Sequence, residues 1–130
     1  MINQKTSTFE DLAVWQRCQG LRKKVSALVR DFPKHDQFRL VDQMIRASRS
    51  VTANIAEGYG RYHYQENIQF CRQARGSLYE LLDHFTVALD EEYISRKEFE
   101  EFQGEIFESV KLLNGYIRYL QKAKEDDRIS

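Results

Sequence analysis

One proline in 130 residues, six glycines and two cysteines leave this chain little that would break or staple a fold. So few breakers argue against a collagen-like or Pro/Gly-rich disordered chain. Cys18 and Cys71 are far apart and form no CxxC pair. Each falls on an apolar helical stripe, so a buried free thiol is favoured over a disulfide or a metal ligand. No apolar run approaches the ~20 residues of a membrane span. The start, MINQKTSTFED, lacks the apolar core of a signal peptide, and a cytoplasmic protein is expected. Formal net charge is zero, so neither sign dominates the whole molecule.

What is present is 42% apolar and 31% charged residues, a balance that with so little Pro and Gly favours helix. A chain of this length is expected to form one domain and to bury roughly two-thirds of its unfolded surface. Four apolar stripes recur at helical spacing. The first is Val14, Cys18, Leu21, Val25, Leu28 and Phe32, started by a Ser7/Glu10 capping box and stopped by Phe32-Pro33. The second is Val41, Met44, Ser48, Val51 and Ile55, with Gly58 as a left-handed cap. Ile68, Cys71, Ala74, Leu78, Leu81, Phe85 and Ala88 mark the third. Phe99, Ile106, Leu113 and Leu120 mark the fourth at strict sevens, behind a Ser95/Glu98 capping box. No segment alternates as a strand would. Short connections predict antiparallel neighbours, hence an all-α, antiparallel up-down-up-down four-helix bundle. Residues 1–8 are expected as an N-terminal extension, 9–124 as the bundle and 125–130 as a frayed tail.

The second helix is thin on the wrong side. Its outer face begins with Asp42, Arg46 and Arg49 and then carries Ser50, Ala53, Ala56 and Gly60. Small residues allow another backbone to approach, and a helix that lacks a long charged face is usually covered on more than one side. A second copy of the chain is therefore expected there. Asn54, Glu57 and Arg61 form a polar edge beside that face. Asn54 is a candidate bond across a helix contact. Glu57 sits in the last turn, where the helix dipole disfavours an acid, and Arg61 or a neighbour's arginine would compensate. The expected oligomer interface is thus Ser50, Ala53, Asn54, Ala56, Glu57, Gly60 and Arg61.

The charges are unevenly spread. Residues 1–75 hold 13 Lys/Arg against 7 Asp/Glu, and residues 76–130 hold 7 against 13. A molecule with a basic and an acidic side can associate head to tail with itself or offer the basic side to nucleic acid. Candidate nucleic-acid contacts are the run Arg22, Lys23, Lys24 together with Arg46, Arg49, Arg61 and Tyr62. Aromatics interleaved with cations, as in YGRYHYQ, can stack on bases or anchor a protein interface. The reading that ranks first is protein contact; an RNA- or DNA-binding accessory factor is second.

A metal-dependent enzyme ranks third. A di-iron bundle needs Glu-x-x-His pairs, whereas His84 has Leu81 three residues before it. There is no P-loop, GxGxxG, GxSxG or HExxH. No catalytic, cofactor-binding or metal-ligating residue is assigned, and no cofactor is expected. Gly76 and Ser77, inside the third helix, are read as a place of tight helix packing.

FEDLAVWQ, the FP after the first helix, QMIRASRSVTANIAEGYGR and GSLYELLDH together resemble a four-helix-bundle family. Its members are encoded in intervening sequences of bacterial large-subunit ribosomal RNA genes and elsewhere in bacterial genomes. The resemblance runs from Phe9 to about Leu120. Where the family often has Pro, this chain has Thr52. The resemblance implies a small homo-oligomer, commonly a ring of five, and no enzymatic activity or catalytic residue set carries over from it. It also implies similarity to the accessory variability determinant of diversity-generating retroelements, a basic pentamer that binds a reverse transcriptase and nucleic acid.

Overall fold

A computed structural model describes residues 8–129. It is all-α: no strand occurs among those residues, and four α-helices carry most of them. These are α1 (Ala13–Leu28), α2 (Asp42–Tyr59), α3 (Tyr64–Asp90) and α4 (Arg96–Ile129). None is long and apolar enough to cross a membrane. At 1.5 Å per residue α2 is about 27 Å long and α4 about 51 Å. The segment from 125 onward, expected to fray, continues α4 as helix to Ile129. An i,i+4 pair between Lys122 and Asp126 supports that last stretch.

Each stripe read from the sequence faces one common core. Val25, Met44, Ile55, Leu78, Leu81, Phe85, Ile106 and Leu113 are fully buried in it. α1 packs on α2 and α4, and α3 packs on α2 and α4. Contacts along these seams run in opposite directions. From α3 to α4, Gln65 meets Lys124, Asn67 meets Tyr116, Arg75 meets Asn114 and Phe85 stacks on Phe102. From α2 to α3, Ser50 meets Ser77 and Gly58 lies against Asn67 and Phe70.

The helix ends depart from expectation in ways that have local causes. Ser7 lies outside the described residues; a capping box is made instead by Thr8 and Asp11 around a 3-10 turn, Phe9–Asp11. α1 loosens into a 3-10 turn, Val29–Asp31, one turn before Phe32-Pro33. A third 3-10 turn, Lys34–Asp36, then leads into a π-helical turn, Gln37–Val41, that runs directly into α2. That wide turn places the adjacent residues Leu40 and Val41 both in the core. It leaves Phe38 almost fully exposed.

Gly58 is not a left-handed cap. No described glycine has positive φ, and α2 continues one residue further to Tyr59. The helix closes through Gly60 N–H to the Ala56 carbonyl and Arg61 N–H to the Gly58 carbonyl, both at 3.1 Å. Gly58 is small for a different reason: a Cβ there would sit 2.7 Å from Asn67 Oδ1 and 2.9 Å from Phe70 Cβ. The left-handed residue is Glu92, φ 61°, between α3 and α4. Tyr93 N–H reaches the Ala88 carbonyl and Glu92 N–H the Leu89 carbonyl, the paired bonds of a Schellman motif. Ser95 and Glu98 cap α4 reciprocally at 2.9 and 3.1 Å, as the sequence predicts.

Candidate functional site

The outer face of α2 is narrower than its sequence suggests. A helix turns 100° per residue, so Ser50, Ala53, Ala56 and Gly60 fan out instead of lying in a single line. Ser50 leans to α3, where its hydroxyl shares a 2.9 Å hydrogen bond with that of Ser77. Ala56 is half-buried, one turn after Thr52 on the side that meets α1. Ala53 and Gly60 remain fully outward and exposed. Part of the smallness of α2 therefore serves packing within its own chain, at Ser50 and at Gly58. Gly76 is not a close-packing position: a Cβ there would meet no heavy atom within 4 Å, and its neighbour Ser77 makes the contact instead.

The polar edge resolves locally. Asn54 bonds within its own helix: its amide donates to the Ser50 carbonyl at 2.9 Å and to the Ser50 hydroxyl at 3.1 Å. A short amide side chain on a helix finds the carbonyl one turn back before it finds another helix. Glu57 is compensated by Arg61 of the same chain at 2.9 Å. Arg61 also lies 4.0 Å from Glu66 and places its guanidinium 4.9 Å from the centre of the Phe70 ring. This edge closes the α2–α3 turn.

The candidate cations take different partners. Arg22, Lys23 and Lys24 are consecutive on a helix and point in three directions. Arg22 turns to α2, donating to the Thr52 hydroxyl at 2.8 Å and lying 5.9 Å over the Trp15 ring. Lys24 turns to α4 and pairs with Glu105 at 2.7 Å, where Arg17 joins it at 3.4 Å. Lys23 is exposed between them. Arg46 pairs with Asp42 at 2.9 Å, and Arg49 is exposed. Tyr62 is 93% exposed and packs edge-on against His63. Beside it Tyr64, Gln65, Lys124 and Arg128 line an open cavity at that end of the molecule.

Thr52 is buried and bonded in two directions. Its hydroxyl accepts from Arg22 and donates to the Arg49 carbonyl at 3.1 Å, so this buried position is fully bonded. A proline there could supply neither bond.

Buried chemistry is quiet. Cys18 and Cys71 are free and buried, and burial pushes their thiols up to about 11 and about 12. Thiols held that high stay protonated and unreactive near neutral pH. Among the described residues no three His, Cys, Asp or Glu side chains gather as metal ligands. At the opposite end from Tyr62, Tyr93 donates to Asp36 Oδ2 at 2.5 Å. Its only proton is then used, so His35 Nε2, 3.1 Å away, is the donor to the Tyr93 oxygen. The hydrogen bond from Tyr93 holds the Asp36 carboxyl below its ordinary value, and the carboxylate pushes Tyr93 up to about 12. This clasp ties the α1–α2 connection to the α3–α4 turn.

Two polar residues absent from the sequence-based candidates, Asn67 and Arg75, prove to organise the α3–α4 seam. Asn67, buried, donates to the Tyr116 hydroxyl at 3.3 Å and accepts from the Cys71 thiol. Arg75 reaches Asn114 at 2.6 Å. Asn67 does carry a signal in the sequence: 67, 71, 74 and 78 step along the buried stripe, so a polar residue at 67 needs partners inside.

A small all-α protein of four helices, with thin and charged outer faces, is the class these observations define. The chain belongs to the 23S rRNA-intervening sequence protein family, whose model matches residues 10–115. It is similar in structure to a protein of unknown function from the S23 ribosomal protein family of Bacteroides thetaiotaomicron. That likeness has a TM-score of 0.76 at 22% identity and covers 84% of this chain and 98% of the other. No curated protein matches the chain.

Proposed function

We propose that this chain is a non-enzymatic scaffold or adaptor in the cytoplasm. In this reading it folds as an antiparallel up-down-up-down four-helix bundle and assembles with copies of itself into a ring of five. The opposed order of contacts along the α2–α3 and α3–α4 seams supports the topology. The observation that carries the assembly is the outer strip of α2. Ala53 and Gly60 stay exposed and small even after α1 and α3 have taken the flanks. The ring of five follows from the family resemblance. The unreactive thiols support a role without chemistry of its own. Native mass measurement tests the assembly: a species of five times the 15.5 kDa chain is expected, and a clean monomer at micromolar concentration sinks the reading.

A second reading, binding of RNA or DNA, is favoured by Tyr62, which stands exposed beside His63, Lys124 and Arg128. Its partner would be nucleic acid or a reverse transcriptase working on it. Binding through phosphate contacts falls steeply with salt, so no binding at ~50 mM salt removes it.

A further inference from the structure

We infer that the groove between α1 and α4 is the surface that receives the outer face of α2 from a second copy of this chain. This rests on the assembly reading above and names its missing half. On α4, Glu101, Glu105, Glu108, Leu112, Gly115 and Tyr119 step 4-3-4-3-4 along one stripe. Its acidic half ends on Leu112, 39% exposed, and Tyr119, 64% exposed. Beside them is an apolar cavity of about 210 Å³, lined by Leu12, Ala13, Val14, Leu112, Gly115 and Tyr116. On α2, Asp42, Arg46, Arg49, Ala53, Ala56 and Gly60 step 4-3-4-3-4 as well.

The two stripes stand at the same height in the fold, because α3 indexes one to the other. Ser50 meets Ser77, two residues from Arg75, which reaches Asn114. Gly58 lies on Asn67, which reaches Tyr116. Arg46 and Arg49, just before Ser50, are therefore level with Glu105 and Glu108. Ala53, Ala56 and Gly60 are level with Leu112, Gly115 and Tyr119. Set side by side without a shift along the axis, Arg46 and Arg49 meet Glu105 and Glu108 in the upper half, and beyond them Asp42 falls level with Glu101, acid against acid. In the lower half a small residue meets a large apolar one at both Ala53–Leu112 and Gly60–Tyr119. Arg49 and Glu108 are the informative charges, since both are exposed and neither forms an ion pair among the described contacts. Two different faces that fit each other at one height make a head-to-tail contact, which generates a ring when the rotation closes.

The test is a charge-reversal cycle read by sedimentation velocity, with helicity checked for each variant. Arg49→Glu and Glu108→Arg should each weaken assembly by about tenfold or more, and the double variant in one chain should recover most of the loss. In parallel, Ala53→Cys chains mixed with Leu112→Cys chains should give an oxidised dimer of the two unlike chains, which neither forms alone. An oligomer that ignores both reversals and forms no 53–112 cross-link overturns this pairing while leaving the assembly reading intact. A monomeric wild-type protein overturns both.

Discussion

The α2–α3 seam and the α1–α4 seam hold the same four helices together by opposite means. Between α2 and α3 the side chains are short: Ser50 on Ser77, and bare backbone at Gly58 against Asn67 and Phe70. Between α1 and α4 long charged side chains arch over the contact, with Arg17 and Lys24 both ending on Glu105. Gly20 lies between those two cations in sequence, one turn from each, yet has open space where a Cβ would go. The first seam leaves no room for another atom. The second leaves an apolar notch and a row of acids facing outward. A closed seam serves stability alone, while an open one keeps surface that something else can use.

The largest effect that sharpens this contrast is at Gly58. Gly58→Ala drives a methyl into Asn67 and Phe70, and overpacking of this kind should cost about 2–3 kcal/mol in urea unfolding. A loss under ~0.5 kcal/mol would mean the α2–α3 seam is not closed as described. The same substitution in the open seam should have the opposite sign. Gly20→Ala meets nothing and should gain ~0.5–1 kcal/mol from helix propensity. Smaller still is Glu105→Gln, which removes the anchor of two half-exposed cations and should cost ~0.2–1 kcal/mol at low salt. That cost should fade in molar salt, whereas the cost of Gly58→Ala should persist.

A fourth measurement lies outside both seams and serves as their control. The bond from Tyr93 to Asp36 lowers the carboxyl and raises the phenol. Its stabilisation is fully present above the ordinary carboxylate value of about 4 and below the ordinary tyrosine value of about 10. It is lost as pH falls through the lowered value for Asp36. It is also lost as pH rises through about 12 for Tyr93. Stability relative to Tyr93→Phe should therefore form a plateau across neutral pH and shrink at both ends. A difference that does not change with pH would remove the clasp.

Legibility follows how local each cause is. The four stripes are legible because burial repeats at 3.6 residues, and every residue of the second stripe from Val41 to Ile55 is buried. The Ser95/Glu98 box is readable because it closes within one turn. Gly58 misleads because a glycine near a helix end has two explanations, and only the position of Asn67 and Phe70 separates them. The run Arg22 to Lys24 looks like a patch because adjacency in sequence is not adjacency on a helix. The bond of Asn54 within its own helix is not legible from side-chain spacing because its partner, the Ser50 carbonyl, belongs to the backbone and is present whatever the side chains are.

By itself the sequence determined that this chain is helical, where its four helices lie and which side of each is apolar, because those properties follow from spacing and composition within one segment. Only the tertiary structure decided which small residues are spent between the chain's own helices and which are left outside. The cause is geometric: Ser50 and Gly58 are claimed by α3, which lies beside α2. Ala53, on the same helix and equally small, points where none of the chain's own helices lies. Depth against a neighbour is set by packing across seams, and no one-dimensional pattern carries it.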